Sequence, residues 1–425
     1  MTKAWLFLGT IAVLIAGSVT LISCGSSSGN NQQTGSGLKS RAFVSNALAP
    51  TGTGSNLPVL DIVDASTDTF SGFTVGLSGT LSHPGPMLLS PDHTFTLVAS
   101  PIDHAIGVVN NSGESVSGTI SLPDFASSMA IAPDNATAYA ALRNAPVAGQ
   151  PQGAVEVLSV AGASISATIP VANVRYLFLD PLGVRILTFS DGSNQATTIT
   201  TANIGTATDP RSYICCFDNP VGAVFADDGN TAYVLECGPE CGGSSAAVSK
   251  VDMTAGLVTN RIPVPGATVA VIKGTTLWTA GTPPGTACGS GTAAANCGTL
   301  TPVDLSALTA GTPQIITDGF HNHMELTTDG QLFIGAINCT EINVPAGGGN
   351  AGETRGCLSI YNTVSPAVVV PPAAGDVTGI APILGRAVVY VVQGGALDIY
   401  DTTKDQLQTT QVTIVGQLYD VKQAF

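Results

Sequence analysis

A short pattern recurs along this chain at a spacing of roughly fifty residues, and it narrows the possible folds more than any other feature. Met87-Leu88-Leu89-Ser90-Pro91-Asp92 returns as Met129-Ala130-Ile131-Ala132-Pro133-Asp134. Looser copies are Leu177-Phe178-Leu179-Asp180-Pro181, Val224-Phe225-Ala226-Asp227-Asp228-Gly229 and Met324-Glu325-Leu326-Thr327-Thr328-Asp329-Gly330. Each is an apolar run closed by a turn, and each precedes a second apolar run such as Phe95 to Ala99 or Ala232 to Leu235. A third run of period two follows in most units, for example Val248-Ser249-Lys250-Val251-Asp252 and Leu397-Asp398-Ile399-Tyr400. A fourth closes the unit, as in Asn260-Arg261-Ile262-Pro263-Val264. Short runs between Gly, Pro and Asp turns, with no long helical stretch, predict an all-β chain. Four strands at this period predict a β-propeller of four-stranded blades. An array of β-sandwiches would need units of about 100 residues.

The repeat resembles that of the YVTN-type β-propeller proteins, the YncE-like and surface-layer-like group. Ser90-Pro91-Asp92, Ala132-Pro133-Asp134-Asn135, Asp228-Gly229 with Ala232-Tyr233-Val234, and Leu60-Asp61-Ile62-Val63-Asp64 carry the likeness. It covers most of residues 41–425 and implies a propeller, but little about activity, because propellers host unrelated functions. Eight units can be counted, with seven, the commoner number in that group, as the alternative because the fourth unit is irregular. The unit starting at Arg41-Ala42-Phe43-Val44 lacks a first strand, and Leu418-Tyr419-Asp420-Val421-Lys422-Gln423-Ala424-Phe425 reads as a lone one. Their pairing would close the ring and remove its exposed sheet edges.

Ahead of the repeats, Lys3 is followed by an apolar run from Ala4 to Val19 that ends in Leu21-Ile22-Ser23-Cys24. A basic start, an apolar stretch and a Leu-x-small-Cys box predict a bacterial lipoprotein signal over 1–23, with Cys24 the lipidated first residue. The rival is an uncleaved membrane anchor. Gly17, Ser18, Thr20 and Ser23 dilute the end of the run, which favours cleavage. Residues 24–40, rich in Gly, Ser, Asn and Gln, are expected to be a flexible tether, and 41–425 a single propeller domain. Acyl chains such as palmitate at Cys24 would tie the protein to a membrane of the cell envelope. Gly25 in place of Asp favours the outer membrane under the enterobacterial sorting rule.

The chain carries 29 Asp+Glu against 14 Lys+Arg, a net charge of −15, which argues against nucleic acid as a partner. Nine cysteines less Cys24 leave eight, an even number suited to disulfides in an oxidising compartment. Cys237 with Cys241, Cys288 with Cys297, and Cys339 with Cys357 form close pairs in the loops between second and third strands. Cys215 and Cys216 are expected to bond each other or separate partners such as Cys237 or Cys241. Zinc at Cys237-x-x-x-Cys241 is the rival reading.

His321, His323 and Glu325 alternate on an expected innermost strand, so they should face one way and form a candidate site for a divalent metal. His83 and His104 could reach the same end of the channel. Core packing of the strand is the plainer reading, since Met324 aligns with Met87 and Met129. Glu236, Glu240, Glu341 and Glu353 are expected to be solvated loop charge. The function that follows is a monomeric, lipid-anchored binding or scaffolding module, with an envelope protein or glycan as its ligand. The alternative is a lactonase-like or metal-dependent hydrolase at the channel mouth.

Overall fold

Eight sheets follow one another around a closed ring, each of antiparallel strands in simple up-and-down order. The structure is a computed structural model that describes residues 35–50, 55–288, 294, 296–343 and 353–425. Cys24 and the expected signal lie outside these residues. Blade 1 is built from both ends of the chain: Leu418–Ala424 lies innermost, followed by Arg41–Pro50, Asn56–Asp64 and Thr69–Gly76. Arg41 pairs with Ala424, Phe43 with Lys422 and Val44 with Val421, so the C-terminal strand closes the ring. Blades 2 to 8 begin at Met87–Leu89, Ser128–Ile131, Val174–Leu179, Pro220–Phe225, Val269–Lys273, Phe320–Leu326 and Val377–Pro382. Each of these innermost strands touches the next around the circle, and together they wall a central channel.

Eight blades settle the count in favour of the larger number. The fourth unit reads as irregular because residues 201–210, including the 3-10 turn Thr201–Asn203, separate its third and fourth strands. In blade 6 the outer edge is split into Thr309–Ala310 and Gln314–Ile316, both paired to Gly298–Asp304.

Second strands are buried on both faces, as in Phe95–Ser100 and Thr137–Leu142, which explains their unbroken apolar runs. Fourth strands are outermost and alternate exposed with half-buried residues, as in Ser115–Ser121. The core is therefore divided into eight packets, each between neighbouring blades. Phe43 and Met87 share one, and Val44, Tyr390 and Val421 share the packet at the closing seam. That seam has a polar clasp. Arg386 of blade 8 grips Asp68 of blade 1 through both guanidinium nitrogens, and the Tyr390 hydroxyl donates to the same carboxylate at 2.6 Å.

The ring unit runs from Gly35 to Phe425. Residues 35–40, assigned to the tether from their composition, are docked instead. Ser36 is buried and its backbone N–H and hydroxyl both bond Glu114, while Leu38 packs beside Phe43 and Met87. Composition gave no sign of this, because the contact depends on one Glu in the turn of blade 2.

Candidate functional site

Up-and-down blades put two kinds of connection at opposite ends of the ring. Turns between first and second, and third and fourth, strands lie on one face. Loops between second and third strands, and links to the next blade, lie on the other, here termed the mouth face. The turn face is compact. Asp92, Asp134 and Asp180 each accept backbone N–H bonds within their own turns, at 2.9–3.0 Å.

Every paired cysteine lies on the mouth face, and all four pairs are bonded: Cys215–Cys216, Cys237–Cys241, Cys288–Cys297 and Cys339–Cys357. The connectivity of Cys215 and Cys216 is thus to each other. These bonds occupy the Cys237 and Cys241 sulfurs that a zinc site would need. Glu236 and Glu240, expected as solvated charge, are not. Glu236 is fully buried, accepting from Asp218 N–H at 2.6 Å and from Ser249 and Arg261. Glu240 reaches from the Cys237–Cys241 loop to Thr282 N–H of blade 6 at 2.7 Å, and burial pushes its carboxyl up to about 7. Loop position alone hid both roles.

The strand Phe320–Leu326 holds the metal candidates, and its pairing explains where they go. His321 lies opposite Ala336 and His323 opposite Gly335, so Asn322 is an extra, bulged residue. A single added residue reverses the facing of the side chains beyond it. His321 turns toward blade 6, wholly buried, with Nδ1 3.4 Å from the Thr282 hydroxyl. His323 turns toward blade 8 and Nε2–H donates to the Thr378 carbonyl at 2.8 Å. Burial lowers both imidazoles to about 4. Glu325 projects into the channel, solvent-accessible but walled in, where desolvation raises its carboxyl, Lys422 opposes the rise and Asp420 adds to it. The three side chains expected on one face are thus dispersed. Among the described residues no cluster of three or more His, Cys, Asp or Glu is placed to hold a metal ion. His83 accompanies Ser82 at 2.9 Å and His104 lies beside Phe125, each within its own loop. The same bulge interrupts the innermost strands of blades 4, 5 and 8, so a blade-by-blade alignment carried the missed signal.

Among the cavities of the mouth face, two meet at one arginine. One of about 400 Å³ lies among Arg175, Tyr176 and Asp191 of blade 4, Asn219 of blade 5 and Phe320 and Asn338 of blade 7. Because it joins blades that are not neighbours, it sits over the channel. A second, of about 320 Å³, is lined by Phe125, Arg143, Arg175 and Tyr419. Arg175 belongs to both. Arg143 and Arg175 share Asp191, at 2.7 and 3.4 Å, and Arg175 also stands over the Tyr176 ring at 5.2 Å. Polar groups converging on a partly apolar hollow of this size are what a small-ligand site requires. No sequence motif marks these arginines; they meet only once the ring is closed.

No protein-family model matches the chain, and comparison with curated proteins returns no match. Solved structures do resemble it. Dihydro-heme d1 dehydrogenase NirN in complex with DHE is 12% identical, with a TM-score of 0.62 over 90% of this chain and 74% of that one. The Cps50 (Swd1) β-propeller domain of Myceliophteria thermophila is 10% identical, with a TM-score of 0.54 over 75% of this chain and 96% of that one. At such identities the likeness shows the fold alone: the chain is a propeller module.

Proposed function

We propose that the protein is a cell-envelope lipoprotein of the YVTN type, anchored by acyl chains at Cys24, whose ring binds an envelope protein or glycan through its mouth face. The observation that carries this reading is the cavity of about 400 Å³ over the channel, opening on the face that holds all four cystines. Cystines brace long loops against the conformational freedom that would otherwise weaken binding. The first described residues of the chain leave the mouth unobstructed. Ser36 bonds Glu114, and Arg41 donates to the Asn111 carbonyl, both in the turn between third and fourth strands of blade 2. That turn belongs to the face opposite the mouth. The anchored protein acts as a monomer at the outer membrane, and its acidic surface keeps it off nucleic acid.

Two measurements test the reading. Mass spectrometry of the protein made in a Gram-negative host should find an acylated Cys24 at the mature N-terminus, and Cys24→Ala should release the protein from membranes. Cross-linking in intact envelopes should capture a protein or glycan with the native ring. Asn338→Arg or Tyr176→Ala should abolish that capture while Asp92→Asn on the turn face leaves it intact. Capture that ignores the mouth variants, or no capture at all, defeats the proposal.

A further inference from the structure

The mouth face of this acidic chain carries one local excess of positive charge. The protein bears 29 acidic and 14 basic residues, and several acids of this face are tied to backbone N–H groups of its own loops. Asp124 accepts from Asn144 N–H at 2.8 Å, Asp218 from Ser244 and Ser245 at 2.8 and 2.7 Å, Asp318 from Thr340 at 2.9 Å and Asp376 from Asn338 at 2.6 Å. Against these, Arg143 and Arg175 share the single carboxylate of Asp191 and remain 46% and 48% exposed. Two guanidiniums carry about ten N–H donors, far more than two carboxylate oxygens can absorb. The trio is therefore a cationic spot with unused forked donors, the geometry that receives a planar carboxylate.

Aromatic side chains gather at the same place. The chain has 13 Phe, 8 Tyr and 2 Trp, and Phe125, Tyr176, Phe320 and Tyr419 line the two cavities that Arg175 joins. Tyr419 is 40% exposed although it lies on the closing strand. Asn219, Asn338, Ser190 and Ser193 add amide and hydroxyl groups to the larger cavity. A ligand matched to this lining has a carboxylate, flat apolar faces and many hydroxyls able both to donate and to accept.

We infer that the channel mouth binds an acidic saccharide, its carboxylate held by Arg143 and Arg175 and its ring faces set against Tyr176 and Tyr419. The inference rests on the mouth face being the contact surface and narrows its ligand to uronate-type sugars.

Calorimetric titration of the mature, oxidised protein with trigalacturonate tests it, with galactotriose as the neutral control and sodium acetate as the bare carboxylate. Trigalacturonate should bind, more weakly as salt is raised. Arg143→Gln with Arg175→Gln should weaken it about tenfold or more. Tyr419→Ala should weaken it several-fold, and the circular dichroism of all variants should match the native protein. Equal binding of galactotriose, acetate competing at the same concentration as trigalacturonate, or indifference to the arginine pair overturns the inference. So does an absence of trigalacturonate binding up to about 10 mM. If an envelope partner is still captured in a mouth-dependent way under that last outcome, the ligand class alone fails. The binding-module reading would then stand.

Discussion

The clasp at the closing seam gives the sharpest test of how this ring is held shut. Asp68 receives both guanidinium nitrogens of Arg386 and the hydroxyl of Tyr390, while Arg386 also donates to the Ala65 carbonyl at 2.7 Å. The Asp68 side chain is 8% exposed and that of Arg386 29%. Asp68→Asn keeps the shape but removes the charge and turns an amide toward a guanidinium. Breaking a fully buried pair costs about 3–5 kcal/mol, and the part-exposed arginine lowers the expected loss to about 2–4 kcal/mol. For a ring of about 390 residues, an unfolding entropy near 0.8 kcal/mol/K converts this to a melting shift of about 2–5 °C. Arg386→Gln leaves the Asp68 carboxylate without its cation and should cost a similar amount, about 2–4 kcal/mol. In that background Asp68→Asn should lose only its tyrosine bond, leaving a coupling of about 1–2 kcal/mol between the two sites. Differential scanning calorimetry of the four proteins, under non-reducing conditions, reads the cycle. The reasoning is refuted if Asp68→Asn shifts the melt by less than about 1 °C, or by the same amount with and without Arg386.

The seam can also be wedged from inside. A Cβ on Gly379 of blade 8 would stand 2.8 Å from Asp420 Cα and 2.9 Å from Val421 N of the closing strand, so Gly379→Ala should destabilise by about 1–3 kcal/mol. Gly76→Ala, which meets nothing within 4 Å, should be near neutral, and equal melts for the two would refute the wedge. Removing Cys339–Cys357, which closes a separation of 18 residues, should cost about 3 kcal/mol, against about 2 kcal/mol for Cys237–Cys241 with a separation of 4. Both differences should vanish when the native protein is melted in reductant; their persistence would assign the loss to packing instead.

The ring was legible because its information is local and repeated. Ser90-Pro91-Asp92 fixes a turn wherever it stands, and buried second strands leave unbroken apolar runs that one sequence displays several times. Closure could be read for the same reason, since a unit lacking its first strand and a tail supplying one are both local facts. The site was not legible in this way. The pairing of His321 with His323 assumed an unbroken ladder, and one bulged residue, Asn322, sent them to different blades. Glu236 and Glu240 were hidden because burial in a loop depends on what the next blade places against it. Arg143 and Arg175 lie on different blades, and no spacing rule joins residues that meet through Asp191.

The pH dependence of stability follows from where the acids sit, and two populations pull against each other. Turn carboxylates are held below their ordinary value of 3.8. Thr94 N–H leads the effect at Asp92 and Ala307 N–H at Asp304, while the Arg211 side chain brings Asp209 to about 2. A depressed carboxyl contributes stability that is complete above its unfolded value and is lost as pH falls through its folded one. These groups therefore weaken the ring only below about pH 4. Desolvation does the opposite elsewhere, taking Glu240 to about 7 and Asp398 to about 6 and raising Asp61, Glu156, Glu325 and Asp420. Each of these holds its proton longer when folded, so stability falls as pH rises from the unfolded carboxyl value toward the folded one. His321 and His323, lowered from 6.5 to about 4, work against this by favouring the folded state as pH rises across that interval. The raised carboxyls, Glu236 and Asp405 among them, outnumber the two imidazoles, and a net charge of −15 adds self-repulsion in the same direction. The melting temperature should therefore peak between about pH 4 and 5.5 and decline toward pH 7.5. Glu240→Gln keeps an acceptor for Thr282 N–H but has no proton to lose, so its decline should be shallower and its advantage over the native protein should grow up to pH 7. A melting temperature that climbs steadily from pH 5 to 8 in the native protein would mean that the buried carboxyls are ionised at little cost, and the channel wall is then far wetter than its packing implies.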